Sequence, residues 1–187
     1  MRLAKLKNVR GDRMNNQIEN AEKTLRQTLG DGFLSVEEFR GQTTFVLDRD
    51  HIVEACQVLR DNPTLGFNFL AALTAVDYWP EEPRFAVVYQ LYSIDYKVFL
   101  GLRVLLHSES SELPTVETVY PNANWHEREV YDMFGINFVG HSDLRRILMP
   151  YEWEGHPLRK DYPLGYEEVQ FSFNFDEIDR RKPYARE

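Results

Sequence analysis

Apolar residues recur at helical spacing early in the chain. In NQIENAEKTLRQTLG, Ile18, Ala21, Leu25 and Leu29 form one stripe among polar positions, and Gly30 supplies a stop, so the pattern predicts a helix. FLSVEEF and TTFVLD follow on either side of Arg40 and Gly41 and read as a hairpin. Asp48 and Asp50 offer N-caps for a second helix near HIVEACQVLRDN, where Ile52, Val53, Ala55, Cys56 and Leu59 again share helical spacing.

The period then changes. FNFLAALTAVDYW is a continuous apolar run that fits a short helix or a strand. RFAVVYQLYSI and YKVFLGLRVLL are rich in Val, Tyr, Phe and Leu and are joined by a short connection containing Asp95, which predicts an antiparallel pair. Near Glu109 the composition turns polar. Pro114 reads as the first-turn residue of a short helix over TVETVY, and Asn122 or Asn124 as the cap of a helix over WHEREVYDMFG that Gly135 ends. Helices on both sides of the strands, without regular βαβ alternation, predict an α+β fold. The expectation is an antiparallel or mixed sheet with helices packed on one face, followed by an extended C-terminal arm. The expected division is a flexible basic N-terminus over 1–15, an α+β core domain over 16–140, and an extended partner-binding segment and tail over 141–187.

Composition narrows the function classes. The chain has 187 residues, 43% of them apolar, enough for one domain with a buried core. A formal net charge of −8, with cations interleaved among acids, argues against a nucleic-acid surface. Cys56 is the sole cysteine, so disulfide frameworks, thiolate zinc sites and a self-contained iron–sulfur cluster are excluded. No run approaches the roughly 20 apolar residues of a membrane span, and the N-terminal stretch lacks the apolar core of a secretory signal. The expectation is a chain cytoplasmic in topology, for which any membrane association comes through partners.

Candidate chemistry is sparse. HEREV superficially resembles the zinc-protease motif, but Val130 stands where the second histidine ligand must lie. His141, Asp143 and His156 could join Glu127 or Glu129 around a metal, and a metal-dependent hydrolase using His126, Glu127, His141 and His156 is the rival reading from a different class. Nucleotide-binding glycine loops and a serine-hydrolase elbow are absent from the sequence. The helix over 125–134 places His126, Val130, Met133 and Phe134 on one face with Glu127 at its edge. Arg128, Glu129 and Asp132 lie opposite, with Arg128 and Asp132 spaced to pair across one turn. Trp125 projects onto that charged face, so both sides of this helix call for contacts. EGHPLRKDYP, residues 154–163, adds His156, Arg159, Lys160 and Asp161 between two prolines and reads as a stiffened strap aimed at a neighbour. In FSFNF, Phe171, Phe173 and Phe175 alternate and would share one side of an extended arm.

The run EREVYDMFGINFVGHSDLRRILMPYEWEGHPLRKDYPL, Glu127 to Leu164, resembles the signature of the C subunit of NADH-quinone oxidoreductase, the 30 kDa subunit family of respiratory complex I. RFAVVYQLYS and LPTVETVYPNANW are also similar to family segments. The resemblance implies an α+β protein without its own redox cofactor, whose FMN, iron–sulfur clusters and quinone sit in partner subunits. It implies a structural, non-catalytic member of a proton-translocating NADH:quinone oxidoreductase, beside the large quinone-site subunit and other peripheral-arm subunits. The equivalent subunit of a membrane-bound hydrogenase or a ferredoxin- or NAD(P)H-plastoquinone complex would carry a similar signature. By motif position the resemblance carries over Glu127 to Gly135 and Gly155 to Leu164 as interaction elements; the expected partner interface as a whole is Glu127, Arg128, Glu129, Asp132, Arg145, Arg146, His156, Arg159, Lys160, Asp161, Phe171, Phe173 and Phe175, with no catalytic or metal residue. Ser142 departs from the family pattern, where Pro is expected in GHPDL.

Overall fold

The stripe of the first helix packs on a five-stranded sheet. A computed structural model of the chain describes residues 2–163, 173 and 175–181, except for the side chains of 2–15, 178, 179 and 181. In chain order the elements are α1 (Arg2–Leu29), β1 (Phe33–Phe39), β2 (Gln42–Leu47), α2 (Ile52–Asp61), β3 (Phe69–Asp77), β4 (Phe85–Ser93), β5 (Val98–Leu106), β6 (Glu112–Pro114), α3 (Ala123–Phe134), β7 (Asn137–Val139) and α4 (Phe175–Arg181). The sheet order is β1-β2-β5-β4-β3, and only the β2–β5 pairing is parallel. A second, two-stranded parallel sheet joins β6 to β7 across α3.

Local chemistry explains the elements. The β1–β2 hairpin turns at Arg40 and Gly41, both at positive φ (49° and 76°), the combination a two-residue turn needs to match strand twist. The ambiguous FNFLAALTAVDYW run becomes β3 because β4 offers it an antiparallel ladder, from Phe69 opposite Tyr92 to Asp77 opposite Phe85, with one register shift between Leu70 and Ala72. Along β4 the side chains alternate. Phe85, Val87, Tyr89 and Leu91 enter the core, while Val88, Gln90 and Tyr92 sit half-buried on the opposite face. Against the inner face pack Ala21, Leu25 and Leu29 of α1, Ile52, Ala55, Cys56 and Leu59 of α2, and Val130, Met133 and Phe134 of α3. The α+β architecture with a mixed sheet matches the sequence reading.

Two local expectations are corrected. Pro114 closes β6 and starts no helix; a turn at 117–119 follows, and the Thr115 N–H bonds the Val139 carbonyl at 3.0 Å. A strand end accommodates proline as readily as a helix start, and the β6–β7 pairing decides it. Asn122 precedes α3 without capping it; its Nδ2 donates to the Leu70 carbonyl at 2.8 Å and ties the helix start to the sheet edge, while Asn124 lies within the helix. Between β7 and Pro163 the chain has neither helix nor strand. This strap is held almost entirely by side chains.

Candidate interaction site at the end of the third helix

A helix leaves its last carbonyls without intrahelical partners. α3 ends at Gly135, which adopts φ +71° and returns its N–H to the Tyr131 carbonyl at 2.9 Å. The strap supplies the remaining donors. His156 Nδ1–H donates to the Asp132 carbonyl at 2.9 Å, the Leu158 N–H donates to Met133 at 3.0 Å, and Arg159 Nε–H donates to Phe134. A guanidinium at this end also complements the negative pole of the helix. Glycine is required for the close approach as well as the φ: a Cβ on Gly135 would lie 2.6 Å from Arg159 Nη2 and would collide with the His156 ring. Burial lowers the His156 imidazole below the usual histidine range, the Asp132 carbonyl pulls the other way, and Arg159 and Arg146 add to the lowering.

The carboxylate of Asp132, on the same last turn, is fully buried and gathers the strap's first half. Its Oδ2 accepts the N–H groups of Ile147, Leu148 and Met149 at 3.1, 2.8 and 2.9 Å, and its Oδ1 takes Arg146 Nη1 at 2.7 Å. Burial works to raise this carboxyl, but the three N–H groups and the guanidinium outweigh it and hold the group below the ordinary aspartate range. Arg146 also reaches the Gly155 carbonyl at 3.0 Å, so one side chain bridges the two halves of the strap.

A second clasp fixes the far end. Arg84, just before β4, forks onto Asp77 of β3 (Nε to Oδ1 3.0 Å, Nη2 to Oδ2 2.9 Å) and also onto Asp161 of the strap (Nη2 to Oδ1 2.6 Å, Nη1 to Oδ2 3.1 Å). Asp77 additionally accepts the backbone N–H of Lys160 at 2.8 Å and of Trp79 at 2.9 Å. Burial would raise Asp77, yet Arg84 and these two N–H groups bring it down to about 2. Arg84 likewise draws Asp161 below its ordinary value.

Nine of the residues singled out from sequence therefore gather in or beside this assembly: Arg128, Asp132, Arg145, Arg146, His156, Arg159, Lys160 and Asp161, with Glu129 exposed on the flank of α3. The expected Arg128–Asp132 pairing does not form. Arg128 donates to the Arg145 and Arg146 carbonyls at 3.2 and 3.4 Å and lies 5.1 Å from the Trp125 ring centroid, and Asp132 turns to Arg146 instead. Glu127 is fully buried instead of lying at the edge of a face, on the opposite side of α3. His126 is half-buried, His141 meets Glu117 and Glu127, and His156 meets the helix end, so the three histidines serve separate neighbourhoods. No group of three or more His, Cys, Asp or Glu converges as a metal site among the described residues. Phe171 lies outside the described residues. Phe173 is exposed, and Phe175 opens the short helix α4, so its backbone is helical where the alternation predicts an extended arm. Asp77, Arg84 and Thr115 escape the sequence reading; their side chains act across 83, 77 and 12 residues, beyond any local pattern.

Arg146, Arg159 and Asp161 turn onto the domain, Arg145, Glu152, Glu154 and Lys160 are exposed, and among them the strap presents apolar side chains outward. Leu148 is 61% exposed, Tyr151 94%, Trp153 39% and Leu158 54%.

Known proteins resemble this chain over most of its length. Residues 45–168 match the family described as "Respiratory-chain NADH dehydrogenase, 30 Kd subunit". The chain is 50% identical to the C subunit of NADH-quinone oxidoreductase from Roseiflexus sp. (strain RS-1) over 172 residues, 91% of this chain and 99% of that protein. It is 46% identical to the corresponding C subunit from Herpetosiphon aurantiacus over 88% of this chain and 97% of the relative. Among solved structures, the trypsin-resistant fragment (1-134) of Nqo5 superposes with a TM-score of 0.55 at 37% identity, covering 66% of this chain and 98% of the fragment. A chain of the membrane-bound sulfane sulfur reductase, an archaeal respiratory membrane complex, shares the fold with a TM-score of 0.63 at 21% identity, over 90% of this chain and 95% of that one.

Proposed function

We infer the role of this chain from the family to which it belongs, the 30 Kd subunit of respiratory-chain NADH dehydrogenase. As a complex I subunit of that family, it acts within NADH-quinone oxidoreductase. We propose that its part there is structural: a cofactor-free member of the quinone module of a proton-translocating complex, docked beside the large quinone-site subunit on the cytoplasmic side. Cys56, the sole cysteine, cannot by itself hold an iron–sulfur cluster, which supports leaving electron transfer to partners. No helix among the described residues is long and apolar enough to cross a membrane, which fits peripheral attachment.

The observation that carries the docking reading is the strap. Its backbone is fixed by Asp132, Arg84 and the end of α3 before any partner arrives, while Leu148, Tyr151, Trp153 and Leu158 remain uncovered. Pre-ordering of this kind removes entropy that a flexible segment would lose on binding. The charges organise the strap, and the apolar side chains meet the partner. Phe173 and Phe175, also exposed, are further partner contacts in this proposal.

The test is affinity purification of the membrane complex from cells carrying a tagged chain, unaltered or with Leu148→Asp and Tyr151→Asp together. The unaltered chain should bring down NADH dehydrogenase subunits, the large quinone-site subunit among them. The double variant should keep the unaltered chain's circular dichroism and melting temperature when isolated, and should lose the large subunit. Recovery of hydrogenase or ferredoxin-linked subunits would reassign the complex, and normal recovery by the double variant would remove the strap from the interface.

A further inference from the structure

On the side of α3 away from the strap's clasps, Glu127 has zero exposure, and its carboxylate accepts hydrogen bonds only from neutral groups among the described residues. Oε1 accepts the Val116 N–H at 2.8 Å, and Oε2 accepts the Thr115 hydroxyl. Beside it stands the ring of His141, whose Nε2 lies 3.9 Å from Glu127 Oε2 and 3.6 Å from Glu117 Oε2, so two carboxylates approach one edge of the imidazole. That ring is wired through both nitrogens. Its Nδ1 accepts the Asp143 N–H at 3.0 Å, which leaves the ring hydrogen on Nε2, donated to the Asn124 carbonyl at 3.1 Å. In this arrangement Nε2 points its hydrogen at Asn124 and makes no hydrogen bond to Glu127.

The other titratable groups facing Glu127 do not balance it. Glu117, from the turn after β6, accepts Asn124 Nδ2 at 2.8 Å, the Ser142 N–H at 2.8 Å and the Ser142 hydroxyl at 3.2 Å. Burial works to raise Glu117, but these donors, with His141 adding to the lowering, hold it below the ordinary glutamate range, so it keeps a negative charge beside Glu127. Tyr89 from β4 and Cys56 from α2 are fully buried. Burial first, and Glu127's charge second, push both groups up and keep them neutral. The Tyr89 hydroxyl has no hydrogen-bond partner among the described residues, a further sign that this pocket of the core is polar and under-satisfied.

We propose that Glu127 is a proton-binding site of the folded chain, and that release of its proton loosens the 115–117 segment from the 141–143 segment that leads into the strap. A neutral carboxyl removes the repulsion with Glu117 and still bonds Thr115, because a hydroxyl can reverse its role from donor to acceptor. An ionised one places a second negative charge in the same buried pocket, beside that of Glu117. Consistently, burial pushes the Glu127 carboxyl up to about 7, against the opposing bonds from Thr115 and Val116 and with Glu117 adding to the rise. The two segments meet through Glu117 and the Ser142 N–H, so the clasp most exposed to this extra charge is the one that starts the strap.

The inference is independent of the docking role and is tested on the 187-residue chain alone. Carbon-13 spectra of the glutamate carboxyls, titrated with proton alone, should show one signal with its midpoint near 7, against about 4.3 for an ordinary glutamate, and Glu127→Gln should delete that signal. Glu117→Gln should move the midpoint down by removing the adjacent charge. Hydrogen exchange should show the protection factors of Val116 and Ser142 falling by about two orders of magnitude from about pH 5 to about pH 7 and levelling above, while those of central β4 hold. If every glutamate titrates below about pH 5.5, or the exchange step survives in Glu127→Gln, the assignment is wrong. If the Gln variant does not fold, the unaltered chain and Glu117→Gln still decide it.

Discussion

Asp132→Ala tests the organisation of the strap most directly. The substitution deletes the acceptor for three consecutive backbone N–H groups and for Arg146, each bond between 2.7 and 3.1 Å. Four charge-assisted hydrogen bonds at about 1.5–3 kcal/mol each would be a gross loss well beyond what is measured for such sites, because freed donors rehydrate. Ile147 and Leu148 are exposed, so water reaches their N–H groups at once; Met149 packs against the core and Arg146 is largely covered, so those two are left poorly satisfied. Removal of one member of a buried charge pair costs about 3–5 kcal/mol, and we expect the effect at that scale. The sheet and α1 do not touch this carboxylate, so the loss should appear as local opening of the strap. Hydrogen exchange is the assay: protection at Ile147, Leu148 and Met149 should fall by about a hundredfold or more, since each 1.4 kcal/mol is a factor of ten, while β4 amides change little. Glu129→Ala, an exposed position on the same helix, should stay within about 0.5 kcal/mol of the unaltered chain. If Asp132→Ala leaves those amides as protected as Glu129→Ala does, the carboxylate does not hold the strap.

Gly135→Ala should destabilise the chain by about 1–3 kcal/mol in thermal unfolding, from the φ of +71° together with displacement of Arg159 and His156; an unchanged melting temperature would contradict the close approach. Arg84→Met should cost about 3–5 kcal/mol by leaving buried Asp77 without its guanidinium. Because folding depresses Asp77 to about 2, its contribution is fully present above the unfolded value near pH 4 and disappears as pH falls toward 2. Arg84→Met should move that acid loss to higher pH, which a pH series of urea melts would show; an acid limb identical to that of the unaltered chain would refute the clasp.

The elements are legible wherever side-chain period carries the information. The stripe Ala21, Leu25 and Leu29, the Arg40–Gly41 turn and the paired β4 and β5 can be read directly, because burial of one face demands that spacing. FNFLAALTAVDYW cannot be resolved from its own residues, since its identity depends on the ladder that β4 provides. The signature helix is legible as a helix and as a place of dense contacts, but the partners of its charges are not. Asp132 answers to backbone N–H groups of Ile147, Leu148 and Met149, and Arg159 answers to backbone carbonyls at the end of α3. Backbone groups are the same at every position and leave no trace in a pattern of side chains. Glu127 is misplaced by helical projection for a related reason: its burial is tolerated by the Thr115 hydroxyl and the Val116 N–H, contributed by a segment whose sequence reads as a helix.

The clasps have a consequence for the order in which the chain is made. Asp161 and Arg84 are 77 positions apart, and Lys160 and Asp77 are 83 apart. Synthesis at about 5–20 residues per second delivers the strand-side members roughly 4–16 seconds before their partners. All five strands of the large sheet, complete at Leu106, have been made while the seat at the end of α3 does not yet exist. Once Gly135 emerges, that seat is filled by the chain's own next segment, tethered to it through the residues between Gly135 and His156. A short tether sets a local concentration of about millimolar, so a free peptide of the same sequence would have to reach that level to take the strap's place.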